Sequence, residues 1–195
     1  MLKAKLVILC VMMFLVAVLV ANSAQADTTV SGTIGGNTTW TAAAGPYYVS
    51  GNVTVNAAVT LTVQAGTVVK FAQGQGLLVN GTLNAVGTEE NRITFTDYRD
   101  DTVGGDSNGN GGATTPVPGG WRGIEVNNLG SANLAYCVVR YAGSGNANVY
   151  KTGSGALSVS NSSIRDSSSY GINLNGATTP STITGNTISG TRNTV

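Results

Sequence analysis

Three segments near the C-terminal end of the chain lie on one register. Asn133–Arg140 (NLAYCVVR), Ser158–Arg165 (SVSNSSIR) and Thr182–Ser189 (TITGNTIS) align without gaps. Leu134, Val159 and Ile183 fall in one column, and Val139, Ile164 and Ile188 in a second. Both columns take the same two steps along the chain, so the offset between them never changes. Gly123-Ile124-Glu125-Val126 and Gly171-Ile172-Asn173-Leu174 match at a separation of two such steps. The step is about 24 residues, inside the range of roughly 20–50 that marks stacked supersecondary units. Here each unit is built from short alternating apolar runs, so the expected fold is all-β, a solenoid with both columns pointing inward.

The upstream half follows the same grammar. Asn52–Asn56, Val59–Val63, Thr67–Phe71, Leu77–Val79, Thr82–Val86 and Ile93–Thr96 are short, rich in Val, Ile, Thr and Leu, and bounded by Gly or Asn, which is how strands read. No stretch after Asp27 carries a helical apolar period. Thr28–Tyr48 is less regular and is expected to cover the N-terminal end, because an uncovered solenoid end is an open strand edge. Two segments interrupt the pattern. Asp97–Gly120 is dense in Gly, Asp, Asn, Thr and Pro and reads as a long loop at 97–120 leaving the solenoid. Ser144–Gly155 reads as a smaller loop, since the Gly-Ile-x-Val motif should recur there and is degraded to Val149-Tyr150. The remainder gives roughly six coils of about 24 residues and a rod about 30 Å long at one strand spacing per coil. The chain stops at Thr191–Val195 directly after a strand, without a capping segment. The expectation is truncation at that end, or stacking on something else.

The N-terminus has its own character. Lys3 and Lys5, the apolar run Leu6–Val20 and the small-residue site Ala24-Gln25-Ala26 read as a secretory signal peptide over residues 1–26. Residues 27–195 are then one secreted or cell-surface domain. Without Lys3 and Lys5 it carries eight basic and nine acidic side chains, a net charge of −1. No basic patch is available for a phosphate backbone, which argues against nucleic acid as a partner. Cys137 is the cysteine left after processing. It sits between the apolar columns at the place of Ser162 and Asn186, and a chain with no histidine offers it no obvious activating base.

Gly171–Leu174 followed by Ser181–Gly190 (STITGNTISG) resembles the right-handed parallel β-helix repeat of the pectin-lyase-like superfamily. Leu61–Phe71, Leu78–Thr88, Arg92–Thr96, the Gly/Asp loop and Gly120–Val126 resemble a variety of it found in bacterial secreted and surface proteins. The resemblance covers about residues 50–190. It implies three parallel sheets wound into a coil, with a groove or flat face outside, and it is specific for fold rather than activity. Enzymes of the superfamily act on polysaccharides, with clustered aspartates in the hydrolases and a basic residue beside calcium in the lyases. Here Glu125 and Asp166, the acids of the regular coils after the loop, stand in different strand columns, whereas a hydrolase needs a facing pair. Tyr170-Gly171-Ile172 begins like the element of the mannuronan epimerases, but Asn173, Leu174 and Asn175 replace its acid, Pro and His.

Candidate ligand residues are therefore few. Arg140 and Arg165 follow inward residues, so they should point outward, where they could hold a sugar carboxylate. Trp121 and Tyr141, if exposed, could stack on sugar rings. Asp106-Ser107-Asn108-Gly109-Asn110-Gly111 fits the start of a calcium loop. Asp106, Asn108, Asn110 and Asp101 are the candidate ligands, although Val117 stands where such a loop has a bidentate Glu. The pairs Thr60/Thr62, Thr94/Thr96 and Thr182/Thr184 suggest an ice-binding face, against which they do not share one repeated column. The functional expectation is a secreted non-catalytic β-helix, structural, adhesive or carbohydrate-binding, with a polysaccharide or cell-surface glycan as partner. The alternative is part of a polysaccharide lyase or glycoside hydrolase whose active residues lie outside this chain.

Overall fold

The computed structural model describes residues 26–127 and 129–192. Apart from Ala26, the leader read over 1–26 lies outside the described residues. The strands are β1 (Thr28–Ile34), β2 (Thr38–Trp40), β3 (Tyr47–Val55), β4 (Thr60–Val63), β5 (Val68–Phe71), β6 (Gly76–Val79), β7 (Thr82–Val86), β8 (Ile93–Asp97) and β9 (Gly123–Val126). They continue as β10 (Ser131–Ala135), β11 (Cys137–Arg140), β12 (Ala147–Lys151), β13 (Leu157–Ser160), β14 (Ser163–Arg165), β15 (Tyr170–Asn173), β16 (Thr182–Thr184) and β17 (Thr187–Ser189).

These strands form a parallel β-solenoid with three faces. The first face runs β2-β4-β7-β10-β13-β16. The other two share the long strand β3, whose first half pairs with β5 and whose second half pairs with β6. The second face is thus β3-β5-β8-β11-β14-β17, and the third is β3-β6-β9-β12-β15. The molecule makes about seven turns, one more than the strand count of the sequence suggested. The additional turn is β1, which pairs with both halves of β3 and covers that end.

The repeat register is that of the structure. Leu134, Val159 and Ile183 are partners on successive rungs, as are Val139, Ile164 and Ile188. Residues alternate in and out along each strand. The inward set fills a largely apolar interior in which Leu61, Phe71, Leu83, Phe95, Ile124, Leu134 and Ile164 are fully buried. The segment expected to be a second loop, 144–155, contains β12, and Val149 stands in the Ile124 and Ile172 column. Lys151 obscured it. This lysine occupies the interior position of Val126 on the neighbouring turn, is fully buried, and donates to the carbonyls of Thr152 and Gly153.

The corners repeat as regularly as the strands. Tyr136, Asn161 and Gly185 adopt positive φ at the first-to-second-face corner (52°, 50° and 65°), and Tyr141, Asp166 and Gly190 at the next (64°, 54° and 60°). Both triplets take the same steps along the chain as the apolar columns. One left-handed residue therefore turns each of these six corners, a conformation that costs an L side chain roughly 1–2 kcal/mol and glycine very little. Side-chain caps tie the turns together. The amide of Cys137 donates to Ser162 Oγ, and that of Ser162 to Asn186 Oδ1 (2.9 and 2.8 Å). Cys137 is the small corner residue expected from its column, and burial pushes its thiol up to about 12.

Candidate functional site

The outer side of the second face carries two columns. One is Val68, Thr94, Val138, Ser163 and Thr187. The other is Lys70 and Thr96, then Arg140, Arg165 and Ser189. Between this face and the first corner lies a trough of about 600 Å³. Its floor is Val138, Ser163 and Thr187, and Arg92, Arg140 and Arg165 form its walls. The structure thus brings the two predicted arginines into one site on successive rungs, about 4.8 Å apart by strand spacing. It adds Arg92, which the sequence did not single out. Ile93 pairs with Cys137, so Arg92 shares a corner position with Tyr136. Its guanidinium lies 5.8 Å from the Tyr136 ring centroid and donates to the Asn161 carbonyl (2.9 Å).

The three guanidiniums differ in their pairing. Arg165 is bonded to Asp166, and both side chains are 31% exposed. Arg140 is only 12% exposed, because Asp100 of the long loop reaches it at 2.5 Å. The Asp100 carboxylate also accepts from Thr96 Oγ1 (2.5 Å) and Thr102 Oγ1 (2.6 Å). Burial alone would raise the Asp100 pKa, but the two hydroxyls and the Arg140 charge outweigh it and hold the carboxyl below its ordinary value. Arg92 has no carboxylate among its described ion pairs and hydrogen bonds.

Trp121 is not an exposed sugar platform. It is fully buried, stacks on Phe71 (ring centroids 4.0 Å apart, planes 8° apart), and donates from Nε1 to the Arg140 carbonyl (2.8 Å). An aromatic residue at the end of a Gly-rich loop here plugs the coil where the loop rejoins it. The other end of the loop is fixed by Asp97, buried and bonded to Arg99 through both carboxylate oxygens (2.8 and 2.6 Å). A Cβ on Gly120 would fall 1.6 Å from Asp97 Oδ2, so only glycine fits there.

The loop itself folds over Lys70. This lysine is fully buried and donates to the Gly105 carbonyl. Burial lowers its pKa against the opposing pull of Asp27, Asp101, Asp100 and Asp106. The four candidate calcium ligands have divided fates. Asp106 accepts the amides of Asn110 and Gly111 (3.2 and 2.6 Å). Its bond from the Gly111 amide is the chief reason its pKa is lowered. Asn110 Oδ1 accepts the amides of Gly112 and Ala113. Asp101 Oδ1 and Asn108 Oδ1 are buried with no hydrogen-bond partner. Among the described residues no three His, Cys, Asp or Glu side chains converge as a metal cluster.

Other motif residues are placed apart from the trough. Glu125, on β9 of the third face, is bonded to Arg122 (2.7 Å), far in register from Asp166. Tyr170, Gly171 and Ile172 lie in β15, at the edge of the third face. The threonine pairs are more ordered than the sequence suggested. Thr62 and Thr182 share the first-face column Thr39, Thr62, Asn84, Asn133, Ser158 and Thr182, whereas Thr94 and Thr96 belong to the second face.

Fold and trough together define a parallel β-solenoid with a cationic, hydroxyl-lined outer trough. No family model matches the chain, and no solved structure does. Protein bark beetle of Drosophila melanogaster is 40% identical over 57 residues, which is 29% of this chain and 2% of that protein. The likeness is thus to a short segment of a far longer relative. Among the described residues no helix is long and apolar enough to cross a membrane.

Proposed function

We propose that the protein is a secreted, non-catalytic β-helix module of the pectin-lyase-like kind that binds an extended polysaccharide at a cell surface or in the extracellular matrix. The observation that carries this reading is the trough on the second face, with its floor of short side chains and its guanidinium walls. Four strands, β8, β11, β14 and β17, span about 14 Å at one strand spacing per rung, room for a short run of sugar units. Arginine, serine and threonine supply the donors and acceptors that sugar hydroxyls and carboxylates take. No Asp or Glu stands among the described residues that line the trough, so a two-carboxylate hydrolysis would have no pair to work with there.

A glycan array probed with the purified chain tests the reading. Binding should be lost in Arg165→Ala and retained in Asn133→Ala, an exposed residue of the first face. No glycan bound, or binding indifferent to Arg165, would remove it. Turnover of a bound polysaccharide would favour the second reading, part of a lyase or hydrolase. Calcium would have the side-chain oxygens of Asp101, Ser107 and Asn108, buried without hydrogen-bond partners in the loop, to draw on. Calorimetry on wild type and Asp101→Asn tests that separately.

A further inference from the structure

Between residues 98 and 119 one residue is fully buried, and it is Asp100. The two valines of that stretch do not anchor it: Val103 is half-buried, and Val117 is 46% exposed. The loop is therefore held on the second face by polar contacts, Asp100 on Arg140 and Thr96 and Gly105 on Lys70. Loops anchored by a core side chain move with the core. One held by a few polar contacts, Asp100 the one buried loop residue among them, has a local opening equilibrium of its own.

The seat of that carboxylate belongs to the trough. Arg140 is a trough wall, and Thr102 and Val103 of the loop line the same space. Arg140 Nη2 and Thr96 Oγ1 both reach the same oxygen of Asp100. Guanidinium and hydroxyl are fixed by the rungs of β8 and β11, so the pair is a carboxylate site built into the face.

We propose that Arg140 and Thr96 form a carboxylate-binding site that Asp100 fills from within the chain, so that the loop is a displaceable strap competing with carboxylate-bearing ligands for one end of the trough. The regulatory part of this inference rests on the trough being a ligand site; the carboxylate site does not. Displacement exchanges one carboxylate for another on Arg140 and frees the outer row from Lys70 to Arg165. Ligands without an anionic group would have the trough alone and leave the strap in place.

Sodium acetate, with sodium chloride at equal ionic strength as control, is the probe. The Arg140 Nε–H resonance is followed by NMR in the full chain as wild type, Asp100→Asn and Asp100→Ala. Acetate should shift that resonance saturably in Asp100→Ala and far less in wild type. Amide exchange over 101–117 should accelerate at least about tenfold in Asp100→Ala, while first-face amides such as Asn133 keep their protection. An Arg140 resonance that ignores acetate in folded Asp100→Ala, or unchanged loop exchange, overturns the proposal. Should both variants fail to fold, wild type decides. As pH falls below the carboxylate range, loop exchange corrected for its intrinsic rate should rise before first-face exchange does, and simultaneous loss overturns the strap. A glycan array without hits removes the polysaccharide reading and leaves the acetate result standing. Glycan binding together with an acetate failure removes the strap alone.

Discussion

The first and second faces of the solenoid are built on the same rungs and carry opposite chemistry. The six strands of the first face contain no Asp, Glu, Lys or Arg. Outward they present short hydroxyl and amide side chains, in the column from Thr39 to Thr182, with Asn133 bonded to Asn84 across a rung (3.4 Å). The second face carries Lys70, Asp97, Arg140 and Arg165 in its strands, Arg92 at its edge and the strap across it. Charged residues are 10% of the chain, so their concentration on one face is a choice the scaffold did not require. Identical backbone geometry with different side chains separates what the coil needs from what the second face does.

The largest effect should come from removing what the faces share. Phe95 is fully buried on β8 between them, and Phe95→Ala should cost about 3–5 kcal/mol. Chemical denaturation would show both faces unfolding together. Survival of the first face alone would break the view of one cooperative coil. Asp100→Ala should come next, at about 1–2 kcal/mol of local strap stability, because Arg140 loses its partner and the loop opens around it. Unlike the core change, it should be felt on the second face and the strap while first-face amide exchange stays put. Its pH signature follows from the direction of the shift. A carboxyl held below its ordinary value in the fold adds stability above the unfolded value, and that contribution is lost as pH falls through the folded one.

Lys151 is a charge that serves neither face. It lies inside the coil where the neighbouring turn has Val126, and burial lowers its pKa. The unfolded chain then binds more protons than the folded one, so stability should rise with pH up to the ordinary lysine value. Lys151→Met should reduce that slope to the part left by Lys70 and raise stability by about 1–2 kcal/mol, since the stem still fills the column and its own desolvated ammonium is gone. Thermal melts at two pH values would check both parts. A destabilised variant would mean that the bonds to the Thr152 and Gly153 carbonyls hold the turn more strongly than the buried charge weakens it.

Those residues also mark what could be read before the structure was known. The apolar columns of the last three coils were legible because inward positions alternate strictly and the coil length hardly varies. The β12 rung was not, since its inward positions are Ala147, Val149 and Lys151, and one lysine among three defeats a hydrophobic pattern. Trp121 looked like a surface aromatic because its neighbours in sequence are loop residues; its burial depends on Phe71, which lies on the far side of the loop in the chain. Arg92 was hidden by the same loop. Ala85 and Leu134 are partners on adjacent rungs although they stand two repeat lengths apart in the sequence. The insertion is therefore itself about one coil long, and it masks which upstream residue stacks on Tyr136. Arg140 was correctly turned outward by its neighbour Val139. That it meets Asp100 there is a tertiary fact with no local signal.

The smallest expected effect isolates the first face. Asn133 is exposed, and its one side-chain bond, to Asn84, is long. Asn133→Ala should therefore change stability by no more than about 0.5 kcal/mol and leave glycan-array binding and the Arg140 resonance untouched. The physical reason is that a neutral hydroxyl and amide column is already satisfied by water, so losing one member uncovers no buried charge. A loss of glycan binding in Asn133→Ala equal to that in Arg165→Ala would put the ligand on the first face, and the charged face would then be a brace for the loop.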